Sequence, residues 1–297
     1  MKTQKRQSIL ILEIVGLIIF GLFPLDVQAV GEVWFGGSTS YSINRLTFDG
    51  TPLSSISIGA DHAQSLEVVG NEVWWWGESS WNKIHRMAFD GTPIGDISTN
   101  IYAQGLAVVG DEVWFGGENS YSIGRVSLDR TPLASLNVGN YAEAIAVVEN
   151  EVWFGGSTCY SINRLTLDGT PLSSISIGAD HAQSLEVVGN EVWWWGESSW
   201  NKIHRMAFDG TPIGDISTNI YAQGLAVVGD EVWFGGENSY SIGRVTLNGT
   251  PLPSFNVGNY AEGIAVVPEP ATLFLFGLGA VMLRRKRKQV WSNSGTK

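Results

Sequence analysis

The hydrophobic pattern of the chain is a series of short apolar runs that returns every 39 or 40 residues. Its most regular part is a Glu-Val-Trp segment, which occurs six times. The repeat contains no run with the spacing of an amphipathic helix, so it predicts an all-β chain built from repeated blades. The valines of the six segments are Val33, Val73, Val113, Val152, Val192 and Val232.

Each repeat predicts four short strands, which is the composition of a propeller blade. The first two strands are apolar on both faces, as expected of strands that neighbouring blades cover. The fourth alternates with serine and suits a solvent-exposed edge. Turns such as Asp-Gly-Thr-Pro, intact at 49–52 and 90–93, separate the strands. Within residues 104–138 the predicted strands are Gly105–Val109, Glu112–Phe115, Ser122–Leu128 and Pro132–Val138.

Six repeats predict a six-bladed β-propeller over residues 30–267. The region begins on a second strand at Glu32 and ends on a first strand at 263–267. We therefore expect the last strand to complete the first blade and to close the ring through backbone hydrogen bonds.

The propeller region is also an internal duplication. Residues 32–148 and 151–267 differ at only eight positions when they are offset by 119 residues, so a block of three blades occurs twice. A catalytic site needs unlike residues in one place, whereas a duplication supplies like residues twice. The duplication therefore favours repeated binding or a structural role.

The two ends of the chain predict hydrophobic targeting helices. Residues 1–29 resemble a secretory signal peptide: a basic start at Lys2, Lys5 and Arg6, an apolar run at 9–25, and a small-residue site for signal peptidase after Ala29. The alternative interpretation of this segment is an uncleaved membrane anchor.

At the other end, residues 268–288 place a Pro-Glu-Pro motif, an apolar run and a basic cluster in that order, followed by a polar tail at 289–297. As a helix the apolar run is about 20 Å long, shorter than the roughly 30 Å hydrocarbon core, and predicts a transient membrane tether. The order resembles the PEP-CTERM sorting signal of Gram-negative bacteria. The resemblance implies processing by an exosortase-type enzyme and localisation at the cell surface or in the extracellular matrix. Its residues are Pro268, Glu269, Pro270, Arg284, Arg285, Lys286, Arg287 and Lys288.

The propeller region is strongly acidic. Residues 30–267 hold 9 Lys and Arg residues against 26 Asp and Glu residues, a net charge of −17. This charge repels phosphate backbones, so we expect no nucleic-acid partner. The single cysteine, Cys159, excludes a disulfide within the chain.

The repeat is similar to those of known six-bladed propellers. Its order of Val-Trp, then Ile-x-Arg with a downstream Asp-Gly, then Ala-Val-Val resembles the YWTD and NHL families and the virginiamycin B lyase group. These families include receptors, scaffolds and enzymes, so the resemblance implies the fold and leaves the activity open.

One arginine and one tryptophan recur in every blade. We expect each arginine to pair with an acidic side chain on a neighbouring strand, with ligand binding as the alternative. We expect each tryptophan to pack between blades. The arginines are Arg45, Arg86, Arg125, Arg164, Arg205 and Arg244, and the tryptophans are Trp34, Trp74, Trp114, Trp153, Trp193 and Trp233.

Aromatic side chains also recur in two loops of each repeat, on the same face of the predicted propeller. Amide or carboxylate residues follow one set two positions later, and this combination suits sugar rings. The alternatives are that these residues only pack and satisfy turns, or that they serve catalysis. The candidate ligand-binding residues are His62, Tyr102, Tyr141, His181, Tyr221 and Tyr260 in the loops between blades, and Tyr41, Trp81, Tyr121, Tyr160, Trp200 and Tyr240 in the loops between second and third strands.

The sequence predicts no metal site and no cofactor, because it has no metal-ligand spacing, Ser-His-Asp arrangement or phosphate loop. A lyase would need His and Glu to converge, and Glu143 and His181 come nearest to that. We therefore predict an exported, non-catalytic propeller that serves as a binding or structural module, with a glycan, an exopolysaccharide or a surface protein as partner. The alternative is an enzyme of the lyase type.

Overall fold

The computed structural model describes residues 31–268, which form six four-stranded antiparallel sheets. The predicted signal peptide and nearly all of the predicted sorting segment lie outside the described residues. Within them, no helix has the length and apolar character needed to cross a membrane. The sheets are the six blades predicted from the repeat, so the six-bladed propeller is confirmed.

Each blade follows the same order from the central channel outwards, and the bounds of its strands repeat with the sequence. The first strands line the channel and are β4 (Ser65–Val69), β8 (Gly105–Val109), β12 (Ala144–Val148), β16 (Ser184–Val188), β20 (Gly224–Val228) and β24 (Gly263–Pro268). The second strands are β1 (Gly31–Gly36), β5 (Glu72–Trp76), β9 (Glu112–Gly116), β13 (Glu151–Gly155), β17 (Glu191–Trp195) and β21 (Glu231–Gly235).

The third and fourth strands form the outer half of each blade. The third strands are β2 (Ser42–Thr47), β6 (Lys83–Ala88), β10 (Ser122–Ser127), β14 (Ser161–Thr166), β18 (Lys202–Ala207) and β22 (Ser241–Thr246). The fourth strands are β3 (Pro52–Ser57), β7 (Pro93–Ser98), β11 (Pro132–Asn137), β15 (Ile175–Ser176), β19 (Pro212–Ser217) and β23 (Pro251–Asn256). Two short 3-10 helices follow β5 and β17, at Glu78–Ser80 and Glu197–Ser199.

The ring closes as the sequence predicts. β24, the last strand of the propeller, pairs antiparallel with β1 over its whole length, from Gly31 opposite Pro268 to Gly36 opposite Gly263. The first blade therefore contains strands from both ends of the propeller, and its backbone hydrogen bonds hold the ring shut.

Six apolar clusters lie between neighbouring blades and form the core. One of them joins Trp74 and Ile84 of the second blade to Phe115 and Val126 of the third, all at most 5% exposed. The tryptophan of each Glu-Val-Trp segment is 0–1% exposed, which confirms its packing role. Replacing such a residue by alanine typically costs about 3–5 kcal/mol of stability.

The repeated arginine is a structural residue, as the first interpretation has it. In the fourth blade the Arg164 guanidinium donates two hydrogen bonds of 2.7 Å to Glu151, and Trp153 Nε1 donates another of 2.8 Å. The bonds from Arg164, offset in part by burial, lower the pKa of Glu151. The guanidinium carbon lies 5.4 Å from the centre of the Trp153 ring, so the ion pair also covers the indole. All six blades repeat this arrangement.

Candidate ligand-binding face and central channel

The twelve aromatic and histidine side chains predicted from the loops come together as six pairs on one face, which we call the aromatic face. Each pair joins the loop between second and third strands of one blade to the loop that leads into the next blade. Ring-centre distances range from 4.5 Å for the first pair to 6.0 Å for the second. The pairs are Tyr41–His62, Trp81–Tyr102, Tyr121–Tyr141, Tyr160–His181, Trp200–Tyr221 and Tyr240–Tyr260.

The outer member of every pair is exposed, and the inner member is half-buried. Trp81 and Trp200 are each 47% exposed, and the four outer tyrosines are 52–58% exposed. Six large aromatic side chains left in water on one face form an apolar surface of the kind that marks an interaction site.

The two halves of the ring present the same geometry. Trp81 lies 6.0 Å from Tyr102 at 52°, and Trp200 lies 5.9 Å from Tyr221 at 54°. The indole nitrogens of the buried Trp76 and Trp195 donate to the carbonyl oxygens of Trp81 and Trp200, at 3.3 and 3.1 Å. The exposed tryptophans therefore stand on loops that are fixed in the same way.

Glycines allow these loops to approach one another. A Cβ added at Gly117 would lie 2.6 Å from Tyr102 Cβ and 2.5 Å from Gln104 Oε1. The Gly-Gly that ends the second strand is thus required by close packing against the next inter-blade loop. The backbone N–H of Tyr102 donates to Asn119 Oδ1 at 2.8 Å, which fixes the loop from the other side.

A ring of amides and carboxylates lies inside the aromatic pairs, at the mouth of the channel. Glu262 accepts from the backbone N–H of Ser38 at 2.8 Å and from Gln64 Nε2 at 2.9 Å. Its counterpart Glu143 accepts from Ser157 and from Gln183 in the same manner. The ring consists of Gln64, Gln104, Glu143, Gln183, Gln223 and Glu262.

The two residues named for the lyase alternative each bind other groups. Glu143 binds Ser157 and Gln183, while His181 Nδ1 lies 3.0 Å from the carbonyl oxygen of Cys159. Both side chains therefore hold neighbouring loops in place.

Four more carboxylates stand on the aromatic face just outside this ring. Glu78, Glu118, Glu197 and Glu237 are exposed and follow the second strands of their blades. Partial burial and the neighbouring carboxylates of Glu143 and Glu78 raise the pKa of Glu118. The pKa of Glu237 is raised in the same way, by burial and by Glu262 and Glu197.

The central channel contains two carboxylates that the sequence analysis did not single out. Glu67 on β4 and Glu186 on β16 line a cavity of about 410 Å³, and their blades lie opposite each other in the ring. The neighbouring N–H groups of Val108 and Val227 donate to them. Burial, together with repulsion from Glu186, raises the pKa of Glu67 to about 8, and burial raises that of Glu186 to about 7. At this position the other four first strands carry alanine. A glutamate in place of alanine on two otherwise apolar strands is the sequence feature that could have identified these residues.

Two partly buried histidine clusters were also not predicted. His85 Nδ1 lies 2.8 Å from Asp96 Oδ1, its Nε2 lies 3.4 Å from Asp61 Oδ2, and its ring stacks on Trp75. His204 repeats the arrangement in the fifth blade. Both nitrogens of each ring face carboxylates, so these histidines tie strands and loops together. Residues 31–268 contain no group of three or more His, Cys, Asp or Glu side chains arranged to hold a metal ion.

Comparison with known proteins identifies the sorting signal and the fold. The PEP-CTERM protein-sorting motif family matches residues 266–288. A search of curated protein sequences gave no match. Among solved structures, a protein of unknown function from Bacteroides caccae matches with a TM-score of 0.65 at 10% identity, covering 81% of this chain and 100% of that one.

Two further solved structures are similar to this chain in fold. A chain of the nidogen/laminin complex matches with a TM-score of 0.64 at 15% identity, covering 80% of this chain and 98% of that one. A catalytically inactive virginiamycin B lyase from Staphylococcus aureus, solved with quinupristin, matches with a TM-score of 0.56 at 20% identity, covering 79% and 87%. At these identities the likeness shows the fold. The chain is thus a six-bladed propeller that carries a PEP-CTERM sorting motif, the mark of export and cell-surface sorting in bacteria by an exosortase-type system.

Proposed function

We propose that this protein is a non-catalytic glycan-binding module, displayed at the surface or in the extracellular matrix of a Gram-negative bacterium. The observation that supports binding is the aromatic face. Its six exposed rings, all on one side of the propeller, offer flat apolar surfaces beside amide and carboxylate groups. Sugars present apolar C–H faces and many hydroxyl groups, and they match both features.

The duplicated geometry supports two equivalent binding places, one around Trp81 with Tyr102 and the other around Trp200 with Tyr221. Stacking on one aromatic face contributes about 0.5–1.5 kcal/mol beyond area burial, by analogy with aromatic pairs. Each place alone is therefore weak. A polysaccharide that engages both gains affinity because the second contact becomes intramolecular.

The test is a glycan array with the full-length protein, followed by calorimetry with the best hexasaccharide and with its parent polymer. Trp81→Ala should halve the hexasaccharide stoichiometry and leave the affinity of the remaining place nearly unchanged. The same substitution should weaken binding of the polymer far more than twofold. Ile94→Ala is the matched control, because Ile94 is 42% exposed on the outer strand β7, away from the aromatic face.

The outcomes separate the alternatives. A stoichiometry of one per ring that requires both tryptophans would replace the two-place arrangement with a single central pocket. If the array shows no glycan binding at all, the proposed function is wrong.

A further inference from the structure

We infer that the aromatic face selects a cationic polysaccharide, one whose sugar units carry free amino groups. The inference rests on the proposed glycan-binding function and adds the charge of the ligand. A protonated amine on a stacked sugar would lie over or beside an aromatic ring, where both the ring and a nearby carboxylate attract it.

Six carboxylates surround the mouth of the channel, three in each half of the ring. They lie among the aromatic pairs: Glu118 and Glu143 are close enough to Tyr141 to act on its hydroxyl, and Glu237 and Glu262 act on Tyr260 in the same way. The pKa of Tyr141 is raised first by a hydrogen bond with Tyr121 and then by burial, and the pKa of Tyr260 is raised first by burial and then by a hydrogen bond with Tyr240; the carboxylates add to both. The first set is Glu78, Glu118 and Glu143, and the second is Glu197, Glu237 and Glu262.

These carboxylates have no cationic partner among the described residues. All nine lysines and arginines of residues 31–268 form ion pairs with other acids within and between the blades. The two lysines that directly follow the tryptophan loops, Lys83 and Lys202, bind Asp96 and Asp215 at 3.1 Å. The negative charge of the aromatic face therefore remains for a ligand to neutralise.

The charge also decides between classes of glycan. An acidic exopolysaccharide would bring its carboxylates or sulfates against the four exposed carboxylates Glu78, Glu118, Glu197 and Glu237, which costs free energy at each contact. Glu143 and Glu262, each only 7% exposed, lie behind them. A neutral polymer would gain stacking and hydrogen bonds through its hydroxyl groups, but no ion pair. A polyamine sugar gains stacking and ion pairing together, and its regular repeat matches two sets of residues that are three blades apart.

A paired set of probes tests the inference: a β-1,4-linked glucosamine hexamer, with free amines, and the same hexamer fully N-acetylated. Binding to the full-length protein is measured by calorimetry at low and at high salt, under conditions in which the amines are protonated. The free amine should bind more tightly, and only its affinity should fall with salt. A basic peptide with the same net charge as the glucosamine hexamer is measured in the same assay and should bind less tightly than that hexamer.

Carboxylate variants locate the effect. The double substitution Glu118→Gln with Glu237→Gln removes one charge from each half of the face and should weaken glucosamine binding about twofold to fivefold per place, as for loss of an exposed ion pair. Its effect on the N-acetylated hexamer should be smaller, because glutamine carries no charge but can still accept hydrogen bonds from sugar hydroxyl groups. The matched control is Asp111→Asn with Asp230→Asn, which removes two charges from exposed turns on the opposite face.

Each result has one meaning. Equal binding of the two hexamers would keep the glycan-binding function and overturn the selection for a cationic ligand. Binding of neither hexamer, together with an array without signals, would overturn both. Tighter binding of the basic peptide than of the glucosamine hexamer would overturn the choice of a polysaccharide.

Discussion

The two glutamates of the central channel make the stability of the propeller depend on pH, and Glu67→Gln tests this directly. Glutamine has nearly the same shape as glutamate and can still accept the hydrogen bond from the N–H of Val108. The substitution therefore removes the ionisable group while the packing and the hydrogen bond remain.

The direction of the pH dependence of stability follows from the raised pKa of Glu67. Below pH 4.5, the ordinary value, Glu67 is protonated in the folded and the unfolded chain. Between that value and about 8, the unfolded chain loses the proton while the folded one keeps it, so the free energy of unfolding falls as pH rises. One pKa unit corresponds to about 1.4 kcal/mol, so the full shift sets an upper limit of about 5 kcal/mol. Because the Glu67 side chain keeps some exposure to the channel, we expect about 2–4 kcal/mol.

The assay is urea denaturation of both proteins at about pH 9 and at about pH 5, on either side of most of the predicted window. Glu67→Gln should be more stable than the parent protein at the higher pH and nearly equal to it at the lower. Glu186→Gln should show the same behaviour with a smaller gain, because its pKa is raised only to about 7. At the higher pH, the double variant should gain less free energy of unfolding than the two single variants added together. Each single substitution already removes the repulsion between the two carboxylates, and the double substitution can remove it only once.

Glu149→Gln is the control, because Glu149 is an exposed carboxylate in the turn after β12. Its effect on stability should be the same at both pH values. A gain for Glu67→Gln that is equal at pH 9 and pH 5 would show that packing, and not ionisation, is responsible, and would refute the reasoning.

Three further predictions follow from the fold and the sorting motif. Deleting 263–267 should abolish cooperative unfolding, because the first blade loses the strand that closes the ring; an unchanged denaturation curve would contradict this closure. Arg130→Gly should be more stable than Arg130→Ala by about 1 kcal/mol in thermal denaturation, because Arg130 has a φ of 76° and both variants equally lose its ion pair with Glu72. Intact-mass analysis of the exported protein should show removal of Met1 and of Lys297; a mature chain that keeps both ends would count against both processing steps.

The fold could be predicted from the sequence because a propeller repeats its physical requirements in every blade. The period fixes the number of blades, and the double-sided apolar pattern of strands such as Glu72–Trp76 identifies the covered ones. The phase of the repeat, from Glu32 to Val267, specifies the closing pair of strands. The role of each arginine could be inferred because the guanidinium needs an acidic partner, and a glutamate is the first or second residue of every second strand.

The site was harder to predict, since it depends on contacts between blades. The aromatic residues were visible in the sequence, but their assembly into pairs was not, because Trp81 meets Tyr102 across two loops of different blades. Glu67 and Glu186 are 119 positions apart and interact only because the ring places their strands on opposite sides of one channel. The histidine clusters were missed for the same reason: Asp61 belongs to the loop between blades, whereas His85 and Asp96 are on paired strands.

The distribution of the eight differences between the two halves bears on function. None of them falls on the twelve aromatic-face residues, the six rim carboxylates or the two channel glutamates. Two of the differences are adjacent in sequence to these residues. At Ser40 against Cys159, the contact with the histidine (His62 in one half, His181 in the other) uses only the backbone carbonyl oxygen. At Ala144 against Gly263, beside Glu143 and Glu262, the change is a single methyl group. The differences thus leave two copies of the same surface with the same charge. A single compact ligand could contact only one copy fully. Under the proposed glycan-binding function, a repeating polymer would therefore contact both copies and gain its affinity from the ring as a whole.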